Sequence, residues 1–246
     1  MFIFLRLVLA HVIADFPLQT DEIYRLKVKG HPGQLLHAFV VFVVSALFVA
    51  PFLTMPAMWG LLVFIAVCHY SIDIAKLIWN DRIQDRWAFP GFIADQVLHV
   101  STALPCFFVA GLKHKNGHIA QPAAWGLFYN DNTFIIYSIF FVIAVFSSTY
   151  IIESFKVSYM PGFLYKNPPR SLIYYTLLER FIIFTAAYLS GVFLIFIPAI
   201  AALRKPLAAM LFKREEDSKR IFLSAFDAGM NIIVAMSCGV VLQFII

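Results

Sequence analysis

The sequence predicts an all-α fold, a polytopic transmembrane helical bundle of about eight spans. Three observations predict it. Hydrophobic residues make up 61% of the 246 and charged residues only 13%, against roughly 45–50% and 25% in soluble domains. The apolar residues fall in repeated blocks of roughly twenty, the length that crosses about 30 Å of hydrocarbon. Most lysines and arginines sit in short connections between those blocks, where the positive-inside rule places them.

Phe2–Gln19 is apolar apart from Arg6, His11, Asp15 and Gln19, and it lacks the basic leader of a signal peptide. It reads as a retained first helix. Thr20–Gly33 reads as a polar loop carrying Arg25, Lys27 and Lys29 and closed by Gly30, Pro32 and Gly33. Gln34–Ala50 is the second helix, Pro51–Pro56 a tight turn, and Ala57–Ile78 the third helix. After the charged loop Trp79–Pro90 comes a fourth helix, Gly91–Gly111, which Pro105 should kink. Leu112–Asn132 is polar, Thr133–Ile152 is the fifth helix, and Ser158–Arg170 is a loop.

Ser171–Phe212 is either one long helix or a hairpin turning at Ser190-Gly191. Loop charge separates the two. With the hairpin, fifteen lysines and arginines share one side of the membrane against Lys113 and Lys115 on the other. With one helix the division is nine against eight. The positive-inside rule selects the hairpin, and Ile221–Ile246 becomes the eighth span. The chain 1–246 is then one integral membrane domain. Residues 1–112 form a four-helix half rich in ionisable groups, and 133–246 form supporting helices with a basic segment at 204–220 facing anionic lipid.

The net charge of +5 is therefore loop charge that sets topology, with the lipid bilayer as partner and no nucleic acid. Cys68, Cys106 and Cys238 each stand alone in apolar sequence, which makes neither a disulfide framework nor a Cys-x-x-Cys metal site.

Ionisable groups at membrane depth mark ion paths, pairing networks or reaction sites. Three His/Asp pairs have the spacing that puts both side chains on one helical face: His11 with Asp15, His69 with Asp73, and Asp95 with His99. Helices one and three run towards the cytoplasm and helix four away from it. The reversed order in the fourth helix thus aligns all three pairs. Asp15, Asp73 and Asp95 fall at one depth, with His11, His69 and His99 about 6 Å deeper. His37 falls near the aspartate layer.

Neutral imidazole and carboxylate are ligands of Zn²⁺, Mn²⁺ or Fe²⁺. The expected site is a divalent metal centre, zinc first, held by His11, Asp15, His37, His69, Asp73, Asp95 and His99. Asp15, Asp73 and Asp95 are also the acid/base candidates, and Lys76 is the fourth catalytic candidate. Lys76 either pairs with Asp73 or meets an anionic head group; the ion pair is the simpler reading. Gln19 and Gln96 extend the polar face. Glu179 and Arg180 read as a mutual or interhelical ion pair, with Asp227 at similar depth. His31, His114 and His118 read as solvent-exposed loop residues.

Leu9-Ala10-His11-x3-Asp15-Phe16-x-Leu18-Gln19, Leu36-His37-Ala38, His69-x3-Asp73-x2-Lys76 and Asp95-Gln96-x2-His99 resemble the bacterial domain-of-unknown-function 3307 family. The resemblance implies a polytopic membrane protein and supplies no established activity. A looser similarity links the chain to predicted membrane-bound metal-dependent hydrolases, which also place His and Asp four apart in their spans. Their His-Arg-x-x-Thr-His-Ser signature is absent here.

The expected function is a metal-dependent hydrolase of the bacterial inner membrane acting on a lipid-borne or amphiphilic substrate, its site nearer the cytoplasmic face. A proton- or cation-coupled transporter would use the same cluster, with Pro105, Pro198 and Pro206 marking broken helices. A structural scaffold is the third alternative.

Overall fold

The computed structural model describes residues 1–80, 82, 84–109, 123–160, 170–211 and 225–246. For 21, 123–125, 127, 170–172, 204–211 and 225 it describes the backbone alone. The fold is all-α, with no strand among the described residues. Four helices there are long and apolar enough to cross a membrane: His31–Phe48, Pro56–Asn80, Asn132–Tyr159 and Phe226–Ile245. The chain divides into two compact units, residues 1–139 and 140–246.

The first unit begins with α1, Phe2–Asp15. It stops short of the expected Gln19 because Pro17 has no amide to donate, and the Leu18 amide instead bonds the Ile13 carbonyl five residues back. The stretch expected as a loop contains α2, Asp21–Val28, capped by the Thr20 hydroxyl accepting from the Ile23 amide. Arg25 and Lys27 in its last turn complement the helix dipole. The cap and this charge order are local helix signals inside a segment whose polarity suggested a loop. Gly30, at φ +127°, turns the chain into α3, His31–Phe48. Pro32 lies in its first turn, where the missing amide costs nothing.

Helix α4 spans Pro56–Asn80, close to expectation. Helix α5, Ala88–Ser101, ends ten residues before the expected Gly111. The Thr102 hydroxyl donates to the His99 carbonyl, and a short 3₁₀ turn at Leu104–Phe107 takes over. Pro105 thus follows a helix end and does not kink a span. Helix α6, Ala123–Asn130, occupies the end of the stretch expected to be polar. Lys113, His114, Lys115 and His118 lie outside the described residues.

The core of this unit packs Leu7, Ala10, Val41, Met58, Leu62 and Ile65 between α1, α3 and α4. One cation crosses it. Arg6 is fully buried and donates to the Phe2 and Tyr129 carbonyls and to Asn132 Oδ1, stacked on the Phe2 ring. It thereby caps the carbonyl end of α6, where a cation is favoured.

Helix α7 runs Asn132–Tyr159, longer at its end than the expected Thr133–Ile152, with a π turn at Ile143–Ser147. Residues 161–169 of the expected loop lie outside the described residues. Helix α8, Arg170–Leu189, is followed by Ser190 and Gly191, both at positive φ, then a 3₁₀ turn and α9, Phe196–Leu211. The expected break at Ser190-Gly191 is present. Helix α10 is Ala225–Ile245. The side chains of 204–220 lie outside the described residues.

In the second unit Arg180 Nη1 donates to the Val145 carbonyl inside the π turn and to Thr149, while Nε donates to Asn231. A π turn breaks the regular ladder, and here a buried guanidinium takes one of its carbonyls. Asn231 also donates to Glu179, so an interhelical amide links the two residues that the sequence suggested as a mutual or interhelical ion pair. Lys156 pairs with Glu153 at 3.1 Å and with Asp227 at 2.5 Å.

Candidate metal centre

The apolar spacing of α1, α3, α4 and α5 turns one polar face of each towards the others. His11, Asp15, His37, His69, Asp73, Asp95 and His99 are all buried, and the fold brings all seven together. The His69 and His99 ring centroids lie 4.1 Å apart. His11 is 5.3 Å from His99 and 5.6 Å from His69, and His37 is 5.0 Å from His69.

The carboxylates lie among these rings. Asp15 Oδ1 is 3.2 Å from His37 Nε2, 3.4 Å from His69 Nε2 and 3.8 Å from His11 Nδ1. Asp73 Oδ2 is 3.4 Å from His69 Nε2, and Asp73 Oδ1 is 3.9 Å from His99 Nε2. Asp95 Oδ1 is 3.6 Å from His99 Nδ1. Three sets of ligating atoms each lie within 4.8 Å of one another: His11–Asp15–His69, His37–His69–Asp73 and Asp73–Asp95–His99. His69 and Asp73 are each shared by two sets. These groups can hold a metal ion.

Two further observations bear on that fit. The His99 Nδ1 atom lies 2.9 Å from the Asp95 backbone carbonyl. A carbonyl only accepts, so Nδ1 carries the proton and Nε2 presents its lone pair, the arrangement of a metal-ligating histidine. Nε2 of His11, His69 and His99 and Nδ1 of His37 are buried without a hydrogen bond. Each such orphan costs on the order of 1–3 kcal/mol. The donor set therefore fits a cation better than it fits isolated packing pairs. On the Leu7–Val8 side, three of the rings bound a cavity of about 10 Å³ lined also by Val41, Ile65 and Thr102, room for one water-sized particle.

Lysines complete the electrostatics, and here the structure departs from expectation. Lys76 Nζ pairs with Asp95 Oδ2 at 2.6 Å and not with Asp73. Asp73 is taken by Lys27 at 2.8 Å, a residue that the sequence assigned to topology-setting loop charge. Lys27 comes from α2, so its role was hidden with that helix; the Thr20 cap was the signal that could have revealed both. Gln19 accepts from Lys27 at 3.3 Å, and Gln96 donates to Asp95 at 3.1 Å. His31 is exposed as expected, but it opens helix α3 where a loop was expected, and it bonds to Tyr70. Glu179, Arg180 and Asp227 belong to the second unit and its own network.

Among the described residues, three carboxylates face two ammonium groups in the cluster. With neutral imidazoles the balance is one negative charge, and an uncompensated buried charge costs several kcal/mol. Asp15 has no ammonium within ion-pair reach among the described residues; its partners are imidazoles alone.

No curated protein and no solved structure matches the chain. Residues 3–125, which contain the whole cluster and both lysines, match the model of the family described as Protein of unknown function (DUF3307), and the chain belongs to that family.

Proposed function

We propose that this protein is an integral membrane metalloenzyme, placed in the bacterial inner membrane with its cluster towards the cytoplasmic face. It hydrolyses a lipid-borne or amphiphilic substrate with a divalent metal, zinc first and manganese or iron(II) as alternatives. The observation that carries this reading is the convergence of buried His and Asp ligating atoms in three overlapping sets, with four ring nitrogens left unbonded.

His11, His69 and His99 are the preferred ligands, one from each His/Asp pair, and the sets of ligating atoms that contain them are joined through His69 and Asp73 into one site. Three protein ligands leave the open position typical of catalytic zinc. When bound, such a metal lowers the pKa of water towards neutrality. His37 holds Asp15 from the side. Asp73 and Asp95, whose charges the lysines balance, serve as further ligands or as acid/base groups. The apolar wall of Leu7, Val41 and Ile65 excludes bulk water from the deep side.

Metal content by mass spectrometry of detergent-purified protein, beside His11→Ala and His99→Ala, tests this. Near-stoichiometric metal in the intact protein, lost in both folded variants, is the expected result. Intact protein prepared without chelators that holds no metal refutes it.

One observation favours a second reading. The rings form a continuous series, His11–His99–His69–His37, at centroid spacings of 5.3, 4.1 and 5.0 Å, a route suited to proton or cation transport. Uptake into proteoliposomes that Asp73→Asn abolishes would select the transporter over the hydrolase.

A further inference from the structure

Lys27 and Lys76 reach the cluster from the end where α4 runs out to Asn80 and α2 crosses to α3. Their side chains are 15% and 34% exposed, while the carboxylates they hold are 1% and 5% exposed. Both carboxylates belong to the same set of ligating atoms, Asp73–Asp95–His99. The two ammonium groups therefore bracket one potential cation position. A divalent cation there draws on the same two carboxylates that hold the lysines, Asp73 and Asp95.

Such a cation reverses the sign of the local charge. The cluster carries one negative charge without metal, so a divalent cation takes it to one positive charge and weakens the hold of each carboxylate on its lysine. An anion restores the balance. Spanning two ammonium groups and a cation at once requires an anion with several oxygens on one centre, and charge-assisted contacts of this kind are the strong ones. Exposed apolar side chains flank both lysines along the chain: Leu26 and Val28 on α2, Ile78 and Trp79 on α4. Lys76 also lies over the Phe92 ring at 5.7 Å.

We propose that Lys27 and Lys76 are the anion-binding half of the site: with a divalent cation in the Asp73–Asp95–His99 set, a phosphate-type anion bridges the two ammonium groups. This rests on the metal reading above and narrows its substrate class to phosphate-bearing compounds. The anion is either a lipid head group or free phosphate.

The test is a titration of the full chain, metal-loaded and chelator-treated, with inorganic phosphate and separately with short-chain phosphatidylglycerol. Phosphatidylcholine is the zwitterionic control. The readouts are the unfolding midpoint and metal content. A saturable rise in midpoint that requires metal is expected. Its apparent affinity should fall about tenfold or more in Lys27→Gln and in Lys76→Gln and survive in Lys27→Arg and Lys76→Arg. A response to both ligands supports the proposal with free phosphate as sufficient; a response to phosphatidylglycerol alone supports it with a lipid head group as the source. No shift in wild-type protein that retains metal overturns the proposal and leaves the metal reading intact. Equal affinity with and without metal, or in the Gln variants, overturns it too. Should the Gln variants fail to fold, the wild-type comparison with and without metal still decides. Wild-type protein that holds no metal overturns both readings.

Discussion

Replacing Gly33 by alanine probes how the fold delivers a lysine to the site. The turn between α2 and α3 presses the end of α2 onto α3 at this residue. A β-carbon at Gly33 would lie 1.9 Å from the Leu26 carbonyl oxygen, 2.1 Å from its carbon and 2.5 Å from the Lys27 nitrogen. All three are backbone atoms, so no rotamer change relieves the overlap. Ordinary contact begins at 3.4 Å, and α2 must withdraw by about 1.5 Å to reach it. The Lys27–Asp73 pair is 2.8 Å long. Such a withdrawal carries it beyond the ion-pair range of about 4 Å unless the lysine stem follows. Overpacking alone costs about 1–3 kcal/mol, and stranding a buried charge about 3–5 kcal/mol. Gly33→Ala should therefore destabilise by about 1–3 kcal/mol if the stem adapts and by about 4 kcal/mol or more if it does not. Unfolding by SDS in mixed micelles measures this, with Lys27→Gln and the double variant completing a cycle. The Gly33→Ala effect should shrink in the Lys27→Gln background, since the two act through one contact. A Gly33→Ala protein within about 0.5 kcal/mol of wild type would refute the close approach and the route by which Lys27 reaches Asp73.

The same titration checks three other positions. Arg6→Met removes the donor to the Tyr129 carbonyl and Asn132 and should cost about 3 kcal/mol or more; wild-type stability contradicts that capping role. Asn231→Leu removes the amide that bonds both Arg180 and Glu179 and should cost about 2–5 kcal/mol, against little change if the network is dispensable. Gly239→Val meets Ala187 Cβ and the Phe184 carbonyl oxygen, each 2.8 Å from a β-carbon at that position, and should loosen α10 from α8 by about 1–3 kcal/mol. Chelation should lower wild-type stability by about 2.7 kcal/mol where free metal had stood at a hundred times its Kd. Folded His11→Ala should show no such sensitivity; equal chelator effects in both proteins would remove the metal from the site.

Fold class was legible because burying or embedding a helix leaves a compositional trace at every turn. Apolar blocks near α3, α4 and α7 needed no tertiary information, and neither did the break at Ser190-Gly191, where the chain takes positive φ. Helix ends were less legible. Pro17 and Thr102 stop α1 and α5 through local backbone and side-chain bonds that a hydropathy pattern does not register. Helix α2 was missed because its short amphipathic sequence is polar on average, and polarity alone does not distinguish a loop from an interfacial helix.

The sequence by itself determined which residue types share a helical face. His11 and Asp15, His69 and Asp73, and Asp95 and His99 are neighbours by helical repeat. Only the tertiary structure decided which charge meets which. Lys76, one turn from Asp73, reaches across to Asp95, and Lys27 arrives from another helix to take Asp73. The physical reason is that an ion pair depends on distance and burial in three dimensions. Helical periodicity specifies the direction of a side chain from its own axis, but the partner it finds is set by how the axes pack.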